Sequence, residues 1–289
     1  MKIPKIYFGT AGWSYKDWVP NFYPKNQSKN FKWLEFYSQY FNLVEVNSSF
    51  YTYLKPEMVF DWTRQVNRNN DFLFTVKLHQ DFTHAKKINK EKIKSVKENL
   101  DILKSEERMG GLLMQFPYSF HCTNSNVDFL KNLINEFSEY EIFLEVRHKT
   151  WQNKKAKSIT FCTIDQPQIG QSIDFNPIAG NDKAYIRFHG RNEKAWFESV
   201  NNFGKVQTYE EKSERYNYLY TPGELIEIGI RIKEIYEKVN KVFIVMNNHP
   251  FGNAPANAFE LLHYLKEVSK VKMPETIVRA FPRLVEISK

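Results

Sequence analysis

Polar residues that could do chemistry recur along this chain at the ends of short apolar runs. Side chains of a β-strand alternate between two faces, so the polar members of one run share a face. Around residue 45, for example, Glu45 and Asn47 oppose Val44 and Val46. Buried charges must be paired, so these groups are expected to bind one another, water or a ligand. The same alternation groups the following residues of the later runs: Lys77, Gln115, Glu145, Arg147, Asp165, Arg187, His189, Asn247 and His249.

The acids and bases in this set would allow proton transfer. We predict catalytic roles for Glu45, Glu145 and Asp165 as general acid and base, together with His189. The same carboxylates with His189 or His249 would also suit a divalent cation, but no metal-binding motif singles out a ligand set, so none is assigned. Two carboxylates at the right separation would permit glycoside hydrolysis. The structural alternative is an ion-pair network that only closes the upper core of the fold.

Cations and aromatic rings in the same set favour an anionic ligand. Arg147 and Arg187 offer planar forks for phosphate or carboxylate, and Lys77 adds a point charge. Trp13 and Tyr51, which lie in runs rich in aromatic residues, suit stacked bases or sugars, or else packing between loops. We therefore assign substrate binding to Asn47, Lys77, Gln115, Arg147, Arg187, Asn247, His249, Trp13 and Tyr51.

Strand-like and helix-like stretches alternate from one end of the chain to the other. Short β-rich runs lie near residues 5–9, 43–47, 72–79, 111–115, 142–147, 159–165, 184–189 and 242–247. Between them, amphipathic helical patterns cover residues 31–41, 56–67, 90–105, 126–138, 222–238 and 254–269. Repeated β-α units predict a parallel sheet, and eight of them predict a single (β/α)8 TIM-type barrel domain over residues 1–289. The polar faces would then open at the C-terminal mouth, where the active sites of this fold lie.

Three details of this arrangement are less regular. The fifth and sixth runs are separated only by residues 148–158, so a short or degenerate helix is expected there. After the seventh run, residues 190–220 are polar and aromatic over a long stretch, which predicts a long loop. In the sixth run, alternation assigns Phe161, Thr163 and Asp165 to the face that points into the barrel.

Composition excludes several classes of protein. Of the 289 residues, 42% are hydrophobic and 16% aromatic, which provides a large core and argues against disorder. No apolar run is long enough to span a membrane, the first residues lead directly into a strand, and the two cysteines form no metal or redox motif. These features predict a cytoplasmic protein without a signal peptide. The formal net charge of +8 suits a phosphate-bearing partner or simply a lysine-rich surface.

A set of short motifs occurs in a consistent order along the chain. They are GTAGWSY at 9–15, FYP at 22–24, VEVNSSFY at 44–51, FTVK at 74–77, QFP at 115–117, EVRH at 145–148 with Trp151, RFHGR at 187–191 and NNH at 247–249. Taken together, from residue 5 to about residue 268, the set resembles the YecE-like family, known as domain of unknown function 72. The chain departs from that family in the shortened interval 148–158, in an insertion over 196–220, and in Ala11, where a serine is common.

The resemblance implies a TIM-type barrel, a bacterial cytoplasmic protein and no established reaction. The barrel of the family has been likened to endonuclease IV and to sugar isomerases, which implies phosphodiester or sugar chemistry with a divalent metal, by analogy of fold alone.

Three functions stay open at this point. The mouth could bind or process a phosphate-bearing substrate, either nucleic acid or a sugar phosphate, as a hydrolase or isomerase would. It could instead bind nucleic acid or another anion without catalysis, or it could use paired carboxylates on a carbohydrate. The sequence contains no zinc-protease, nucleophile-elbow, P-loop or dinucleotide motif that would choose among them.

Overall fold

Eight parallel strands close into a barrel in chain order. The computed structural model describes residues 3–152, 154, 159–201 and 208–289. The first and last strands close the barrel, with Lys5 opposite Lys241 and Thr10 opposite Met246. The predicted (β/α)8 TIM-type barrel and its eight strands are confirmed. The strands are β1 Lys5–Ala11, β2 Leu43–Val46, β3 Leu73–Lys77, β4 Met109–Gln115, β5 Ile142–Glu145, β6 Thr160–Asp165, β7 Lys183–Phe188 and β8 Lys241–Met246.

Helices follow the strands, and each predicted helical stretch contains one. Among the described residues, no helix combines the length and apolar character needed to cross a bilayer. The α-helices are α1 Trp33–Tyr37, α2 Ser48–Tyr51, α3 Pro56–Gln65, α4 Gln80–Thr83, α5 Lys90–Ser105, α6 Asn124–Glu136, α7 Glu193–Asn201, α8 Tyr209–Ser213, α9 Pro222–Lys233, α10 Asn253–Lys266 and α11 Glu275–Ala280. Short 3-10 helices span Lys16–Trp18, Lys149–Trp151, Glu214–Tyr216, Tyr236–Lys238, Pro250–Gly252 and Pro282–Ile287.

Local chemistry determines where the helix beside the mouth begins. The Thr221 hydroxyl accepts a hydrogen bond from the Glu224 amide, and the Glu224 carboxylate accepts one from the Thr221 amide. Pro222 follows the cap, where its missing amide hydrogen is not needed. This capping box starts α9 and also holds the Glu224 carboxylate near the barrel mouth.

The lower part of the barrel interior is apolar. Tyr7 stacks on Phe243 with ring centroids 4.9 Å apart, and Phe143 and Tyr185 pack beside them at 4.3 Å. Leu43 and Leu113 complete a layer that is buried throughout. Any charge placed above this layer therefore has a low-dielectric floor, which strengthens its electrostatic interactions.

The predicted orientation of β6 is wrong. Cys162 and Ile164 belong to the core inside the barrel, whereas Phe161 packs in the outer core against the helices. Thr163 and Asp165 share the outer face with Phe161, because side chains alternate along the strand. On β6 the polar side chains Thr163 and Asp165 lie on the outer face, where Asp165 bonds to Arg191, so polarity did not mark the internal face. On β2, β3, β4, β5, β7 and β8 the predicted inner faces are confirmed.

The two irregular segments also have defined structure where they are described. The expected short helix after β5 is the 3-10 helix Lys149–Trp151, while residues 153 and 155–158 of that interval lie outside the described residues. The long segment after β7 contains α7, α8 and the 3-10 helix Glu214–Tyr216 rather than coil throughout. Residues 202–207 lie outside the described part.

Candidate functional site at the barrel mouth

Arg187 occupies the centre of a layer of charged side chains above the apolar part of the interior. We call this the charged layer; it comprises Glu45, Lys77, Glu145, Arg147 and Arg187. Its guanidinium donates to both carboxylate oxygens of Glu45, with Nε–Oε2 at 2.9 Å and Nη2–Oε1 at 2.5 Å. Its Nη1 donates to Oε2 of Glu145. All three side chains are at most 1% exposed. One arginine thus neutralises carboxylates from β2 and β5 and links three strands of the barrel.

Further hydrogen bonds complete the surroundings of the two carboxylates. The Tyr185 hydroxyl donates to Oε2 of Glu45 at 2.8 Å and lies 2.8 Å from the Thr75 hydroxyl. Arg147 donates from Nε and Nη2 to Oε1 of Glu145, at 3.0 and 2.8 Å. Both carboxylates therefore have their acceptor positions occupied by protein groups, which favours a structural and electrostatic role over proton transfer.

His189 lies against this network with its ring orientation determined. Its Nδ1 is 2.9 Å from the Asn247 amide nitrogen, and its Nε2 is 3.3 Å from Oε1 of Glu145. The same Nε2 also lies 3.4 Å from Nη2 of Arg147 and 3.5 Å from Nη1 of Arg187. Both ring nitrogens therefore have protein neighbours, which favours a structural role for His189 over proton exchange with a substrate.

The pKa values of this pair follow from burial and from the neighbouring arginines. Burial alone would raise the pKa of Glu145, but Arg187, His189 and Arg147 hold it well below its ordinary value. Burial lowers the pKa of His189 to about 3, and Arg147 and Arg187 add to the effect while Glu145 opposes it. Glu145 is therefore charged and His189 neutral at neutral pH.

Lys77 ends β3 near the two carboxylates but forms no ion pair with a described residue. Its Nζ lies 4.0 Å from the centroid of the Phe50 ring. Among the described residues no carboxylate comes within ion-pairing distance of it, because Glu45 and Glu145 are held by arginines. Burial and the nearby Arg187 lower the pKa of Lys77 to about 7, although Glu45 and Glu145 raise it. Near neutral pH this side chain can therefore supply either a proton donor or a neutral amine.

Aromatic residues from the segment after β7 cover the charged layer, and sequence reasoning did not single them out. The Arg147 guanidinium lies 5.4 Å from the centroid of the Trp196 ring. The Tyr216 ring lies 6.1 Å from that of His189 and 5.6 Å from that of His249. Burial would raise the pKa of Tyr216, yet Arg215, Arg147 and Arg187 together lower it below its ordinary value. A lowered tyrosine pKa in a half-buried position indicates a positive potential at the mouth.

A cleft of about 350 Å³ opens between the segments after β1, β7 and β8, with His249 in its lining. Tyr15 and Tyr209 line it, and the Tyr15 ring stacks on His249 with centroids 4.6 Å apart. Its rim carries the carboxylates Asp17, Glu210 and Glu214 with one cation, Lys16. The cleft is therefore aromatic on one side and acidic at the rim, in contrast to the positive charged layer.

His249 makes the stability of the mouth sensitive to acid. Burial, with a smaller contribution from Arg215, lowers its pKa to about 3, compared with an ordinary histidine value near 6.5. The unfolded chain therefore takes up a proton between these values that the folded protein excludes, so the free energy of unfolding falls as the pH drops below about 6.5. We expect the H249F variant, which keeps an aromatic ring between Tyr15 and Tyr216, to lose less stability between pH 7 and pH 4 than the wild type.

Urea unfolding at both pH values measures this difference. A variant of the exposed His121, H121F, should keep the pH dependence of the wild type. Equal losses in the wild type and in H249F would show that His249 is protonated in the folded protein.

Asp165 does not join the charged layer. Its carboxylate accepts from Nε and Nη2 of Arg191, with Nη2–Oδ1 at 2.7 Å, and from the Tyr220 hydroxyl at 2.5 Å. Arg191 also contacts Glu224 at the start of α9. The predicted grouping of Asp165 with Glu45 and Glu145 is therefore wrong, because Asp165 lies on the outer face of β6. The charge pattern instead indicates that Asp165 anchors the segment after β7.

Gln166 takes the place at the mouth that was predicted for Asp165. It follows β6 and alternates onto the same inner face as Cys162 and Ile164, and it is 4% exposed. Its Oε1 atom is buried and has no hydrogen-bond partner among the described residues. The same is true of Asn47 Oδ1, Trp196 Nε1 and His249 Nδ1. Buried polar atoms without partners are rare in native proteins, so each of these atoms indicates a place for water or a ligand.

The remaining predicted residues are divided between the mouth and its surroundings. Asn47 and Asn247 follow β2 and β8 on the inner face of the barrel, Asn47 half-buried and Asn247 buried. The Gln115 amide donates to the carbonyl of Phe116. Trp13 packs edge-on against Trp62 at 5.3 Å, in contact with the outer core. The Tyr51 side chain is 70% exposed at the end of α2. Trp13 and Tyr51 are therefore not part of the charged layer.

A divalent metal finds no ready site in this arrangement. Within the described ranges, no group of three or more histidine, cysteine, aspartate or glutamate side chains is placed to hold an ion. Glu45 and Glu145 face arginines, and the Asp165 carboxylate faces Arg191. The divalent metal implied by the resemblance does not fit these residues.

Comparison with known proteins identifies the family. Residues 7–279 match the family model described as "Protein of unknown function DUF72". The chain belongs to the DUF72 family. A curated relative, the UPF0759 protein YunF of Bacillus subtilis (strain 168), is 27% identical over 280 residues, covering 90% of this chain and 94% of YunF.

Solved DUF72 structures share the barrel. A DUF72 family protein from Thermotoga maritima MSB8 is 29% identical with a TM-score of 0.76, covering 91% of this chain and 99% of that one. One from Enterococcus faecalis V583 is 22% identical with a TM-score of 0.75, covering 93% and 98%, which supports the fold alone. The resemblance expected from the ordered motifs is thus confirmed. Since DUF72 is defined without a function, any activity must be argued from the site.

Proposed function

We propose that this DUF72 protein binds and processes a small phosphate-bearing substrate, namely a sugar phosphate, at the mouth of its barrel. The observation that carries the proposal is an uncompensated positive charge. Lys77, Arg147 and Arg187 oppose only Glu45 and Glu145, and the ammonium of Lys77 has no ion-pair partner among the described residues. A phosphate or phosphoryl group would neutralise this excess and provide the missing acceptor atoms.

The free hydrogen-bonding capacity of Arg147 supports the same ligand. Its Nε and Nη2 atoms contact Glu145, while its Nη1 has no hydrogen-bond partner within the described part of the chain. An arginine edge with free donors next to an unpaired lysine suits the several oxygens of a phosphoryl group. The lowered pKa of Tyr216 is a consequence of the same positive potential.

The cleft favours a sugar phosphate over a nucleic acid. Its rim carboxylates, Asp17, Glu210 and Glu214, would repel the successive phosphates of a polyanion but can accept hydrogen bonds from hydroxyl groups. Tyr15 and Tyr209 offer ring faces of the kind that pack against sugars. A cleft volume of about 350 Å³ is in the range of small-molecule sites.

Paired-carboxylate glycoside chemistry is less well supported. That mechanism needs one carboxylic acid that stays protonated near neutral pH, which requires a raised pKa. The pKa of Glu145 is instead lowered by Arg187, His189 and Arg147 despite its burial. The oxygens of Glu45 are taken up by Arg187 and Tyr185.

Calorimetric titration with ribose 5-phosphate, ribose and an oligothymidylate tests the proposal. We expect ribose 5-phosphate to bind at least about tenfold more tightly than ribose, since a hydrogen bond to a charged group contributes about 1.5–3 kcal/mol. K77M should weaken ribose 5-phosphate binding about ten- to a hundredfold without lowering stability, because Lys77 has no ion pair to lose. K149M is the control, because Lys149 lies on the surface with its side chain 42% exposed.

The outcomes distinguish the open functions. Equal affinity for ribose and ribose 5-phosphate, or unchanged binding by K77M, would overturn the proposal. Tighter binding of the oligothymidylate with a steep dependence on salt would instead identify a nucleic-acid-binding protein, since counterion release scales with the number of phosphates contacted.

A further inference from the structure

Lys77 lies near two carboxylates that arginines already bind, which favours a chemical role for its amine over a purely electrostatic one. It ends β3 on the inner face of the barrel, and its ammonium rests 4.0 Å from the centroid of the Phe50 ring. Two carboxylates lie in the same layer, but Arg187 holds both of them and Arg147 holds Glu145 a second time. The arginines thereby deprive Lys77 of a counterion and add positive charge beside it.

This arrangement favours the neutral amine. A desolvated lysine near other cations loses its proton more easily, and the unprotonated amine is the form that attacks carbonyl carbon. The groups that act on it are Arg187 and Arg147, which lower its pKa, and Glu45 and Glu145, which raise it. A surface lysine, in contrast, is almost fully protonated at neutral pH.

We propose that Lys77 is a nucleophile that forms an imine with the carbonyl group of an aldehyde or ketone substrate. The neutral Nζ attacks the carbonyl carbon and gives a carbinolamine. The carbinolamine then loses its oxygen as water, so the C=O bond is replaced by C=N, and a proton from solvent makes the iminium ion. The proposal rests on the proposed function, with the phosphate held through the free edge of Arg147 while the Lys77 amine reaches the carbonyl group.

Two carboxylates and one aromatic ring offset part of the repulsion that the arginines exert on an iminium ion. Once formed, the iminium carries a fixed positive charge at the place where the ammonium was, within the field of Glu45 and Glu145. The Phe50 ring can contact this cation through its face, as it contacts the ammonium. The same site can therefore hold the unprotonated nucleophile and the charged product.

Reductive trapping tests this inference. The protein is incubated with dihydroxyacetone phosphate and sodium cyanoborohydride, which delivers hydride to the iminium carbon and leaves a stable secondary amine. Intact mass and peptide mapping then locate the adduct. We expect one adduct, on Lys77, formed at least about tenfold faster than on any other lysine, since the neutral fraction at pH 7 is far larger for a pKa of about 7 than for an ordinary lysine.

Two variants and the pH dependence separate nucleophile from anion binder. K77R, which cannot form an imine, should give no adduct at this position, whereas K149R, a change at a surface lysine, should leave trapping on Lys77 unchanged. The ratio of the Lys77 adduct to adducts on surface lysines should fall as the pH rises from 7 to 9, because the neutral fraction of Lys77 only about doubles while that of a surface amine rises about tenfold per pH unit.

Each result has a distinct meaning. Dihydroxyacetone, which lacks the phosphate, should trap more slowly than its phosphate ester. Equal trapping of both on Lys77 would support the imine and contradict phosphate recognition. Phosphate binding without an adduct on Lys77, or adducts spread evenly over the lysines, would overturn the nucleophile and leave the phosphate site standing.

Discussion

Replacing Arg187 with methionine is expected to lower the free energy of unfolding by about 3–5 kcal/mol, the usual effect of removing one partner from a buried ion pair. Arg187 is 1% exposed and bonds to Glu45 and Glu145, both completely buried. R187M leaves both carboxylates in the barrel interior, where Arg147 still bonds to Glu145. Methionine fills most of the volume, so the expected loss comes from charge rather than from a cavity. Denaturant unfolding at pH 7 measures it.

Two companion variants assign the loss to the buried carboxylates. The triple variant E45Q/E145Q/R187M removes the unpaired charges and should recover at least half of the lost stability. R279M removes a surface pair with Glu275, in which both side chains are more than three-quarters exposed, and should change stability by less than about 0.5 kcal/mol. If R187M and R279M were equally mild, the buried network would not contribute to stability.

The pH dependence of R187M follows from the lowered pKa of Glu145. In the wild type, this carboxylate contributes stability above its unfolded pKa of about 4.5 and loses it as the pH falls toward the folded value. In R187M the folded protein can take up a proton on Glu145, so the variant loses less stability on acidification. The difference between the two proteins should therefore shrink from pH 7 to pH 4.

Replacing Gly9 with alanine is the second change for which we expect a large effect. A Cβ atom at position 9 would lie 1.8 Å from the carbonyl oxygen of Leu43 and 2.7 Å from the Tyr37 hydroxyl. The Leu43 carbonyl belongs to β2, the strand paired with β1, and it accepts a hydrogen bond from Tyr37. The backbones would have to separate, so we expect G9A to lose about 3 kcal/mol or more, the upper range of overpacking effects.

Gly223 provides a matched control for this variant. A Cβ atom there would meet nothing within 4 Å, and the residue lies in the first turn of α9. G223A should be neutral or stabilise the protein by up to about 1 kcal/mol through helix propensity. Thermal unfolding of the two variants compares them directly. A G9A protein that melted with the wild type would show that β1 and β2 can move apart without penalty.

The candidate site could be predicted from sequence only in part. Alternation on β2, β5 and β7 correctly brought Glu45, Glu145 and Arg187 together, because each of these strands has one polar and one apolar face. It could not show that one arginine would hold both carboxylates, since that contact joins Arg187 to residues 142 and 42 positions away in the chain. For the same reason, the sequence could not show that Lys77 would be left without an ion-pair partner among the described residues.

The residues that lie over the mouth were even less predictable from the sequence than the ion pairs below them, because tertiary contacts place them there. The segment after β7 is recognisable in the sequence as a long polar and aromatic stretch. Nothing local in it indicates that Trp196 contacts Arg147 or that Tyr216 lies near His249. Those contacts require α7 and the 3-10 helix Glu214–Tyr216 to fold back over the strand ends. The anchor is the pairing of Arg191 with Asp165.

The amino-acid sequence by itself determined the number and order of the strands, the closed barrel and the end of the barrel at which the charges gather. It did so because strand periodicity and helix amphipathicity are local properties that neighbouring residues specify. Only the tertiary structure decided the direction of Asp165 and the partners of Arg187, because the polar residues of β6 face outward to a partner, Arg191, that lies 26 positions away in the chain. Ion pairs across a barrel are selected by distance and burial in three dimensions, which no spacing along the chain encodes.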